Sequence, residues 1–280
     1  MKRTRTRGLS RRIDAALMAA LADAAIAAGA DVMRHFGKVS PRLKPDGSPY
    51  SEADLDSERR IKAALDILLP DIPVLAEEEV ALFGPSAVGD CFVAVDALDG
   101  TKEFVAGHSD FTVNIGLIED GVPIAGVIFA PALQRLWVGS PQAAFTGSVA
   151  PGARMSGLGG RRSLAVARPP SGGLLVVASR SHPSAATEDF IARHQVAERI
   201  SAGSSLKFCL IAEGAAHLYP RFGTTMEWDT AAGHAIVLAA GGVVQARDGG
   251  PLRYGKADVG FANDGFIAAC DAGLIRNGSA

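Results

Sequence analysis

The stretch DALDGTKEF, residues 96–104, carries side chains whose types and spacing could do chemistry. Asp96 and Asp99 are three residues apart, next to Gly100 and Thr101, and they follow the apolar run CFVAV directly. Two carboxylates this close repel each other unless a positive charge lies between them. Oxygen ligands without a neighbouring His or Cys favour Mg²⁺ over zinc. The spacing therefore indicates a magnesium site just past a strand end, with an ordinary solvated turn as the alternative.

Further acidic residues lie where other predicted elements begin or end. Glu77, Glu78 and Glu79 end a short predicted strand. Asp46 and Asp54 lie around the start of a predicted helix, and Asp229 is the predicted N-cap of another helix. Acids at helix N-termini are common for electrostatic reasons alone. Because ligands collect at strand ends, these acids together with Asp96 and Asp99 strengthen the hypothesis of a metal site.

Hydrophobic periodicity and turn residues predict the elements that must position these acids. Predicted helices span 51–69, 184–194, 204–213 and 229–240, and predicted strands lie at 73–79, 91–95, 111–118, 122–130 and 174–178. Ser51 is expected to cap the first helix, with Asp54 as its capping-box partner. The tripeptide EDG at 119–121 predicts a hairpin. The Gly-, Ser-, Arg- and Pro-rich segment 147–173 predicts a domain junction or a mobile loop.

Composition excludes several classes of protein. With 280 residues, 48% of them hydrophobic, the chain can bury a sizeable core. Its formal net charge of −2 gives no reason to expect a nucleic-acid partner. Its three cysteines are widely spaced and form no CxxC pair, so neither a disulfide framework nor a zinc site is expected. A reduced, cytoplasmic compartment fits this usage.

The first twelve residues are strongly basic and precede an alanine-rich run. Asp14, Asp23 and Asp31 interrupt that run, which predicts a solvated arm and an amphipathic helix rather than a targeting signal. No run of 18 or more apolar residues occurs, so no membrane span is expected. The basic arm could still make weak peripheral contact with an anionic membrane surface.

Two motifs, DALDGTKEF and EWDTAAG, together resemble the lithium-sensitive, magnesium-dependent phosphatases of the inositol monophosphatase superfamily. SRSH at 179–182, GSSLKFC at 203–209 and YPRFG at 219–223 are similar to the CysQ-type 3′(2′),5′-bisphosphate nucleotidases of that superfamily. The resemblance implies the inositol monophosphatase fold, an α+β or α/β layered sandwich (αβαβα). It also implies an N-terminal part, 1–155, with most metal ligands, and a C-terminal part, 156–280, with the last ligand and most specificity residues.

The resemblance implies a role for each matching residue. The metal ligands would be the carboxylates of Glu77, Asp96, Asp99 and Asp229 and the carbonyl of Leu98. The catalytic residues that orient the attacking water would be Asp54, Thr101 and Glu77. The substrate contacts would be Gly100, Thr101, Lys102, His182, Ser204, Lys207, Arg221 and Asp229. The cofactor would be Mg²⁺, two or three ions, with Li⁺ as an inhibitor.

Substrate choice depends on residues outside the acidic cluster. Lys207 and Arg221 could hold a second phosphate, and His182 could contact a base. Alternatively, Lys207 could extend from its helix to solvent, and His182 could be a surface loop residue. The resemblance implies adenosine 3′,5′-bisphosphate, cut to AMP by direct attack of water, with 3′-phosphoadenylyl sulfate as the next choice. An inositol monophosphatase, a fructose-1,6-bisphosphatase and a catalytically silent metal-binding protein stay open as alternatives.

One position departs from the pattern of the family. Ala97 stands where the Asp-Pro-Leu/Ile-Asp-Gly-Thr motif usually has proline. The loss of proline should loosen the turn by about 0.4–1 kcal/mol, since the unfolded chain gains freedom, and it removes no metal ligand. The resemblance further implies a cytoplasmic monomer or homodimer, with peripheral attachment to the cytoplasmic side of the inner membrane left open.

Overall fold

The computed structural model describes residues 8–38, 42–43, 49–179 and 184–277. Helices within this part of the chain are α1 (Ala15–His35), α2 (Glu52–Leu68), α3 (Glu77–Phe83), α4 (Thr101–Val105), α5 (Ala185–Ile191), α6 (Leu206–Ala212), α7 (Glu227–Ala239) and α8 (Ala272–Asn277). The strands are β1 (Arg42–Leu43), β2 (Pro49–Tyr50), β3 (Val74–Ala76), β4 (Cys91–Asp99), β5 (Thr112–Glu119), β6 (Val122–Ala130), β7 (Arg135–Gly139), β8 (Ala144–Ser148), β9 (Gly159–Ser163), β10 (Leu174–Ser179), β11 (Val196–Ala202), β12 (Leu218–Arg221), β13 (Thr225–Met226), β14 (Val243–Ala246), β15 (Ala262–Asn263) and β16 (Phe266–Ala269).

The described elements stack in layers around two large sheets. The first sheet has the strand order β3-β4-β5-β6-β7-β8-β9, and the second has the order β11-β10-β12-β16-β14. Helices α1 and α2 pack on one face of the first sheet, and α6 and α7 lie between the sheets. Helices α5 and α8 cover the outer face of the second sheet. The αβαβα sandwich expected from the sequence is confirmed.

Side-chain alternation gives the second sheet a hydrophobic core on each face. Val176 and Leu218 contribute to the core under α5 and α8, whereas Val177 and Tyr219 contribute to the core around α6 and α7. Successive residues of a strand face opposite sides, so a sheet buried on both faces needs continuous apolar runs. The run LLVVA at 174–178, predicted as a buried strand, meets this requirement.

Helix α7 lies close to the first sheet because a row of glycines lines its path. Gly116, Gly126 and Gly139 are paired across β5, β6 and β7. A Cβ atom at Gly139 would lie 2.6 Å from the Cα of Ile236, and one at Gly126 would meet the carbonyl oxygen of Ala232. No side chain fits such gaps, so the glycine row determines how closely α7 approaches the sheet.

Most predicted elements are confirmed, with shifts at their ends. The strand predicted at 73–79 is shorter, since β3 ends at Ala76 and its expected acidic end forms the first turn of α3. Ser51 caps α2 as expected: its N–H donates to Asp54 Oδ2 at 2.7 Å, and its Oγ accepts the Ala53 N–H at 3.2 Å. The hairpin at EDG is present as β5 and β6. The helix predicted at 184–194 ends at Ile191, and the helix predicted from 204 begins at Leu206.

Two expectations differ from the structure. Asp229 is not the N-cap of α7; Met226 is, and Asp229 Oδ2 accepts the Met226 N–H at 2.8 Å from the first turn. The segment 147–173 is not a loop throughout, because β9 pairs with β8 and extends the first sheet. All residues of β9 are exposed, so the apolar alternation that marks a strand is missing there. The division of the chain after residue 155 stays a prediction.

By length and composition alone, α1 could cross a membrane. More than half of its apolar window is buried within the protein, where the helix packs on α2 and β6. Its buried Asp31 forms ion pairs with Arg34 and with Arg60 of α2. The apolar character of α1 is therefore explained by its packing in the hydrophobic core between α1, α2 and the first sheet.

Candidate active site

An irregularity in β4 brings Asp96 and Asp99 to the same face of the sheet. Asp96 pairs with Asn114 and Asp99 pairs with Thr112, so three residue steps on β4 match two steps on β5. Residues three apart in a regular strand face opposite sides, and the extra residue of a bulge reverses this. The strand continues through Asp99, which corrects the expectation that both aspartates lie beyond its end.

The chain leaves β4 through a glycine and a buried alanine. Gly100 has φ +93°, in the left-handed region, and a Cβ there would lie 3.0 Å from the carbonyl oxygen of Asp110. Only glycine fits this combination. Ala97, which replaces the usual proline, is buried, and its carbonyl accepts the Ser57 hydroxyl at 3.0 Å. The turn is thus held by packing and by a hydrogen bond from α2.

Carboxylate oxygens of Glu77, Asp96 and Asp229 lie within 4.8 Å of one another. The three side chains come from α3, β4 and α7, and Asp96 is 3% exposed. Burial, followed by the Glu77 and Asp99 carboxylates, raises the pKa of Asp96 well above its usual value. Burial and then Asp99 raise the pKa of Asp229 in the same direction. A buried group of like charges is the arrangement that a cation would stabilise.

The first turn of α3, which carries Glu77, is held by another buried acid. Glu58 of α2 accepts the N–H of Glu78 at 2.8 Å and the N–H of Glu79 at 3.1 Å. Burial raises the pKa of Glu58 to about 7, against the lowering effect of these hydrogen bonds. Since these donors follow Glu77 directly, Glu58 fixes the start of the helix that presents Glu77 to the cluster.

Asp54 and Thr101 form a hydrogen-bonded pair beside the cluster. The Thr101 hydroxyl lies 3.2 Å from Asp54 Oδ1 and 3.2 Å from the Leu98 carbonyl oxygen. Asp54 is buried, and its other oxygen accepts both the backbone N–H and the hydroxyl of Ser51. The capping box of α2 therefore orients the acid that in turn orients Thr101.

Most of the residues predicted from the sequence line one cavity of about 300 Å³. Those lining it are Glu77, Asp96, Leu98, Asp99, Gly100, Thr101, Lys102, Ser204, Lys207, Arg221 and Asp229. Asp54 reaches the cavity through its bond to Thr101. His182 lies outside the described residues. The roles of these residues stay predictions, but the structure brings all the described ones to one place.

Lys207 does not extend to solvent, which was one of the two expectations for it. Its side chain is buried, and Nζ donates to the carbonyls of Ser204 at 2.5 Å and Ala202 at 3.3 Å. The ammonium also lies 5.5 Å from the centroid of the Tyr219 ring. Burial lowers the pKa of Lys207 to about 8, although Asp99 opposes this shift. Lys207 thus places a positive charge in the wall of the cavity.

Three polar residues of the site were missed by the sequence predictions. Asn114 and Ser205 both donate hydrogen bonds toward Asp99, and Thr112 donates to the Asn114 side chain at 2.9 Å. All three are at most 2% exposed. The signal was present for two of them, because Thr112 and Asn114 interrupt the apolar strand FTVNIGLI with the spacing of one sheet face.

Comparison with known proteins shows which family this chain is similar to. The Inositol monophosphatase family profile matches residues 14–279. A protein named 3′(2′),5′-bisphosphate nucleotidase CysQ from Buchnera aphidicola is 42% identical over 232 residues, 82% of this chain and 84% of that protein. The protein of the same name from Escherichia coli strain K12 is 42% identical over 244 residues, 85% and 94% of the two chains. The crystal structure of CysQ from Bacteroides thetaiotaomicron superposes with a TM-score of 0.76 at 38% identity, covering 91% of this chain and 97% of that one.

Proposed function

This chain belongs to the inositol monophosphatase family, and we propose that it is a magnesium-dependent 3′(2′),5′-bisphosphate nucleotidase. It hydrolyses the 3′-phosphate of adenosine 3′,5′-bisphosphate to give AMP and phosphate, and it accepts 3′-phosphoadenylyl sulfate. One observation carries the proposal: the carboxylates of Glu77, Asp96 and Asp229 converge in a cavity that Lys207 and Arg221 also line. The cavity thus offers a cation site beside fixed positive charges.

The residues present fit magnesium. The donor set consists of oxygen atoms, which suits a hard cation, and the buried Asp96 has other carboxylates as its neighbours. Glu77, Asp96, Asp99, Asp229 and the carbonyl of Leu98 would hold the metal. Bound Mg²⁺ would neutralise the charge of the phosphate dianion and acidify a water molecule.

The chain itself orients the nucleophile. The Thr101 hydroxyl accepts a hydrogen bond from the attacking water, because its own proton lies toward Asp54 or the Leu98 carbonyl. The proton that the water releases moves along this hydroxyl toward Asp54, which acts as the base. The water oxygen bonds to phosphorus while the bond to the 3′ oxygen breaks, and that oxygen takes up a proton from solvent to become the 3′-hydroxyl of AMP. The Gly100 and Thr101 N–H groups hold phosphoryl oxygens.

The second phosphate of the substrate selects the nucleotide. Arg221 of β12 and Lys207 of α6 line the same cavity, on the side formed by the second sheet and the helices above it. A guanidinium can bind a phosphate through two parallel hydrogen bonds, and the Lys207 ammonium adds a nearby point charge. Lys102, Ser204 and His182 complete the proposed substrate contacts.

The test is phosphate release from a panel of substrates. The panel contains adenosine 3′,5′-bisphosphate, inositol 1-phosphate and fructose 1,6-bisphosphate, each with Mg²⁺, with and without Li⁺. We expect preference for the nucleotide and inhibition by Li⁺. Preference for a sugar or inositol phosphate would be consistent with the proposed mechanism but would contradict the proposed nucleotide substrate. No release from any of them would favour a silent metal-binding protein.

Arg221→Ala separates substrate selection from chemistry. The variant should raise KM for adenosine 3′,5′-bisphosphate far more than KM for a nucleoside monophosphate, because only the bisphosphate loses a charge-assisted contact; about 1.5–3 kcal/mol, or tenfold or more, is the usual scale. Steady-state kinetics on the two substrates measure this ratio. Equal increases for both would assign Arg221 a structural role.

We also propose, from the resemblance alone, a cytoplasmic enzyme that is a monomer or homodimer. Weak peripheral contact of its basic N-terminal arm with the inner membrane forms part of this proposal. Residues 1–7 of that arm lie outside the described residues. Gel filtration and sedimentation with anionic vesicles test the two parts separately.

A further inference from the structure

The two carboxylate oxygens of Asp99 have different surroundings. Oδ2 accepts three hydrogen bonds, from Ser204 Oγ at 2.7 Å, Ser205 Oγ at 2.8 Å and Asn114 Nδ2 at 3.3 Å. Among the described residues, each of these bonds goes to Oδ2 and none goes to Oδ1. A carboxylate oxygen has two lone-pair directions, so three donors occupy Oδ2 fully. Oδ1 is therefore the atom that Asp99 can offer to a cation in the cavity.

Ser205 is the centre of this arrangement. Its hydroxyl accepts a hydrogen bond from Asn114 Nδ2 at 2.8 Å, and it lies 2.8 Å from Asp99 Oδ2 and 3.0 Å from the Asp229 carbonyl oxygen. A hydroxyl has a single proton, so with Asn114 as its donor it must donate to one of these acceptors. The bond to the charged carboxylate is the stronger one. Ser205 thereby joins β5 to the β4 and α7 residues of the acidic cluster.

The direction of these bonds is set from β5. Asn114 Oδ1 lies 2.9 Å from Thr112 Oγ1, and the Asn114 amide NH₂ faces Ser205 Oγ at 2.8 Å and Asp99 Oδ2 at 3.3 Å. Thr112 Oγ1 also lies 2.5 Å from Ser204 Oγ, so one proton of this hydroxyl pair bonds the two oxygens and the other is donated to Asn114 or to Asp99. Asn114 is completely buried and Ser205 is 2% exposed, so water does not compete for these groups. Ser204 and Ser205 both line the cavity, but Ser204 is only partly buried. The Ser205 hydroxyl is engaged by Asn114, Asp99 and the Asp229 carbonyl, and Ser204 is the more accessible of the two serines.

We propose that Ser205 is a positioning residue for the cation site: its hydroxyl, oriented by Asn114, holds Asp99 Oδ2 and leaves Oδ1 to the metal. The inference rests on the proposed function, because it concerns the same site. It adds a residue that acts on the metal site through Asp99. Groups that orient a metal ligand in this way typically contribute 10- to 100-fold to metal affinity or activity, by an order-of-magnitude estimate.

The test measures metal binding directly, without turnover. Mn²⁺ is added to the metal-free full-length protein, and the free ion is followed by its electron paramagnetic resonance signal. Ser205→Ala should weaken binding about 10- to 100-fold. Ser205→Thr, which keeps the hydroxyl, should retain most of the affinity. Ser140→Ala is the matched control, since Ser140 is also buried and bonds to the Ala143 carbonyl far from the cluster.

A second readout separates positioning from general damage. Phosphate release by Ser205→Ala should recover at high Mg²⁺, while KM for the nucleotide at saturating Mg²⁺ stays near that of the wild type. If Ser205→Ala does not fold, Ser205→Cys keeps the size of the side chain with a weak donor, and weaker Mn²⁺ binding is again expected. Equal Mn²⁺ binding by wild type and the folded Ser205 variants would overturn the inference alone. Absence of Mn²⁺ binding by the wild type would overturn the proposed function with it.

Discussion

Two regions of this molecule bury a carboxylate, with opposite surroundings. Glu213, at the end of α6, accepts hydrogen bonds from Arg135 at 2.5 Å, Trp137 Nε1 at 2.5 Å and Arg162 at 2.7 Å. Its side chain is 11% exposed. Asp96 is 3% exposed, and its nearest charged neighbours include Glu77 and other acids. The first carboxylate is buried with its own counterions, and the second is buried with like charges.

This difference distinguishes a structural acid from a functional one. The arginines and the indole N–H compensate the desolvation of Glu213, so the cluster ties β7 and β9 to α6 without any ligand. At Asp96 the described protein atoms leave the repulsion in place, which destabilises the metal-free fold. Unrelieved repulsion between buried acids is found where a site binds a cation or a proton. For this reason acids with strongly perturbed pKa values concentrate at functional sites.

The strongest test of the difference between Asp96 and Glu213 is to remove the charge of Asp96 without changing the size of its side chain. Asp96→Asn should reduce phosphate release at least about a thousandfold, because the most buried of the proposed metal ligands loses its charge. In EDTA the same variant should unfold at no lower denaturant concentration than the wild type, because a buried like charge has been removed. Initial rates and equilibrium unfolding measure the two effects.

Asp66→Asn serves as the control, since it makes the same chemical change at a residue that is exposed on α2. It should alter neither quantity, as surface substitutions usually shift stability by less than about 0.5 kcal/mol. Near-normal turnover by folded Asp96→Asn would contradict the assignment of Asp96. A clear loss of stability in EDTA would show that Asp96 is a structural acid like Glu213.

The acidic cluster could be predicted from the sequence because each acid lies at an element end with a strong local signal. Asp96 follows an apolar run and Asp229 lies at a helix start, so short segments sufficed for these two. Local pattern placed Glu77, Glu78 and Glu79 together at a predicted strand end, and only the family resemblance selected Glu77, which in the structure begins α3. The side chains that hold the cluster were not predictable in this way. The bond between Ser205 and Asp99 joins residues 106 positions apart, and no local pattern encodes it.

The backbone shows the same limit. The bulge that brings Asp96 and Asp99 to one face exists only in the register with β5, and β9 carries no apolar alternation because it is exposed. The expectation that Lys207 extends to solvent was wrong, because its Nζ donates to backbone carbonyls in the cavity wall, and its phosphate contact stays a prediction. Long-range pairing determines each of these features, whereas sequence patterns report local periodicity.

A second variant tests whether the acidic cluster depends on the position of α7 as well as on the charge of its acids. Gly126→Ala places a Cβ against the Ala232 backbone, so α7 must move away from the sheet and carry Asp229 with it. We expect a loss of about 1–3 kcal/mol in unfolding free energy and a higher Mg²⁺ concentration for half-maximal activity. Gly157→Ala is the control, because nothing lies within 4 Å of its added Cβ.

Chemical unfolding and Mg²⁺ titration of phosphate release check both parts of the Gly126 prediction. If Gly126→Ala unfolds more easily but keeps the Mg²⁺ dependence of the wild type, then the position of α7 affects the core and not the acidic cluster. Unchanged stability would show that the helix adjusts freely over the glycine row.

The smallest expected effect comes from Glu213→Gln, which makes the same carboxylate-to-amide change at the acid that is paired with Arg135 and Arg162. The amide keeps one acceptor oxygen, so only part of the hydrogen bonding from Arg135, Trp137 and Arg162 is lost, and about 1–2 kcal/mol of unfolding free energy should go with it. Phosphate release by the folded fraction should not change, because Glu213 does not line the cavity. Asp96→Asn and Glu213→Gln both replace a carboxylate by an amide. We expect Asp96→Asn to lose activity without losing stability, and Glu213→Gln to lose stability without losing activity. If Glu213→Gln lowered turnover as Asp96→Asn does, the surroundings of a buried carboxylate would not predict its role in this fold.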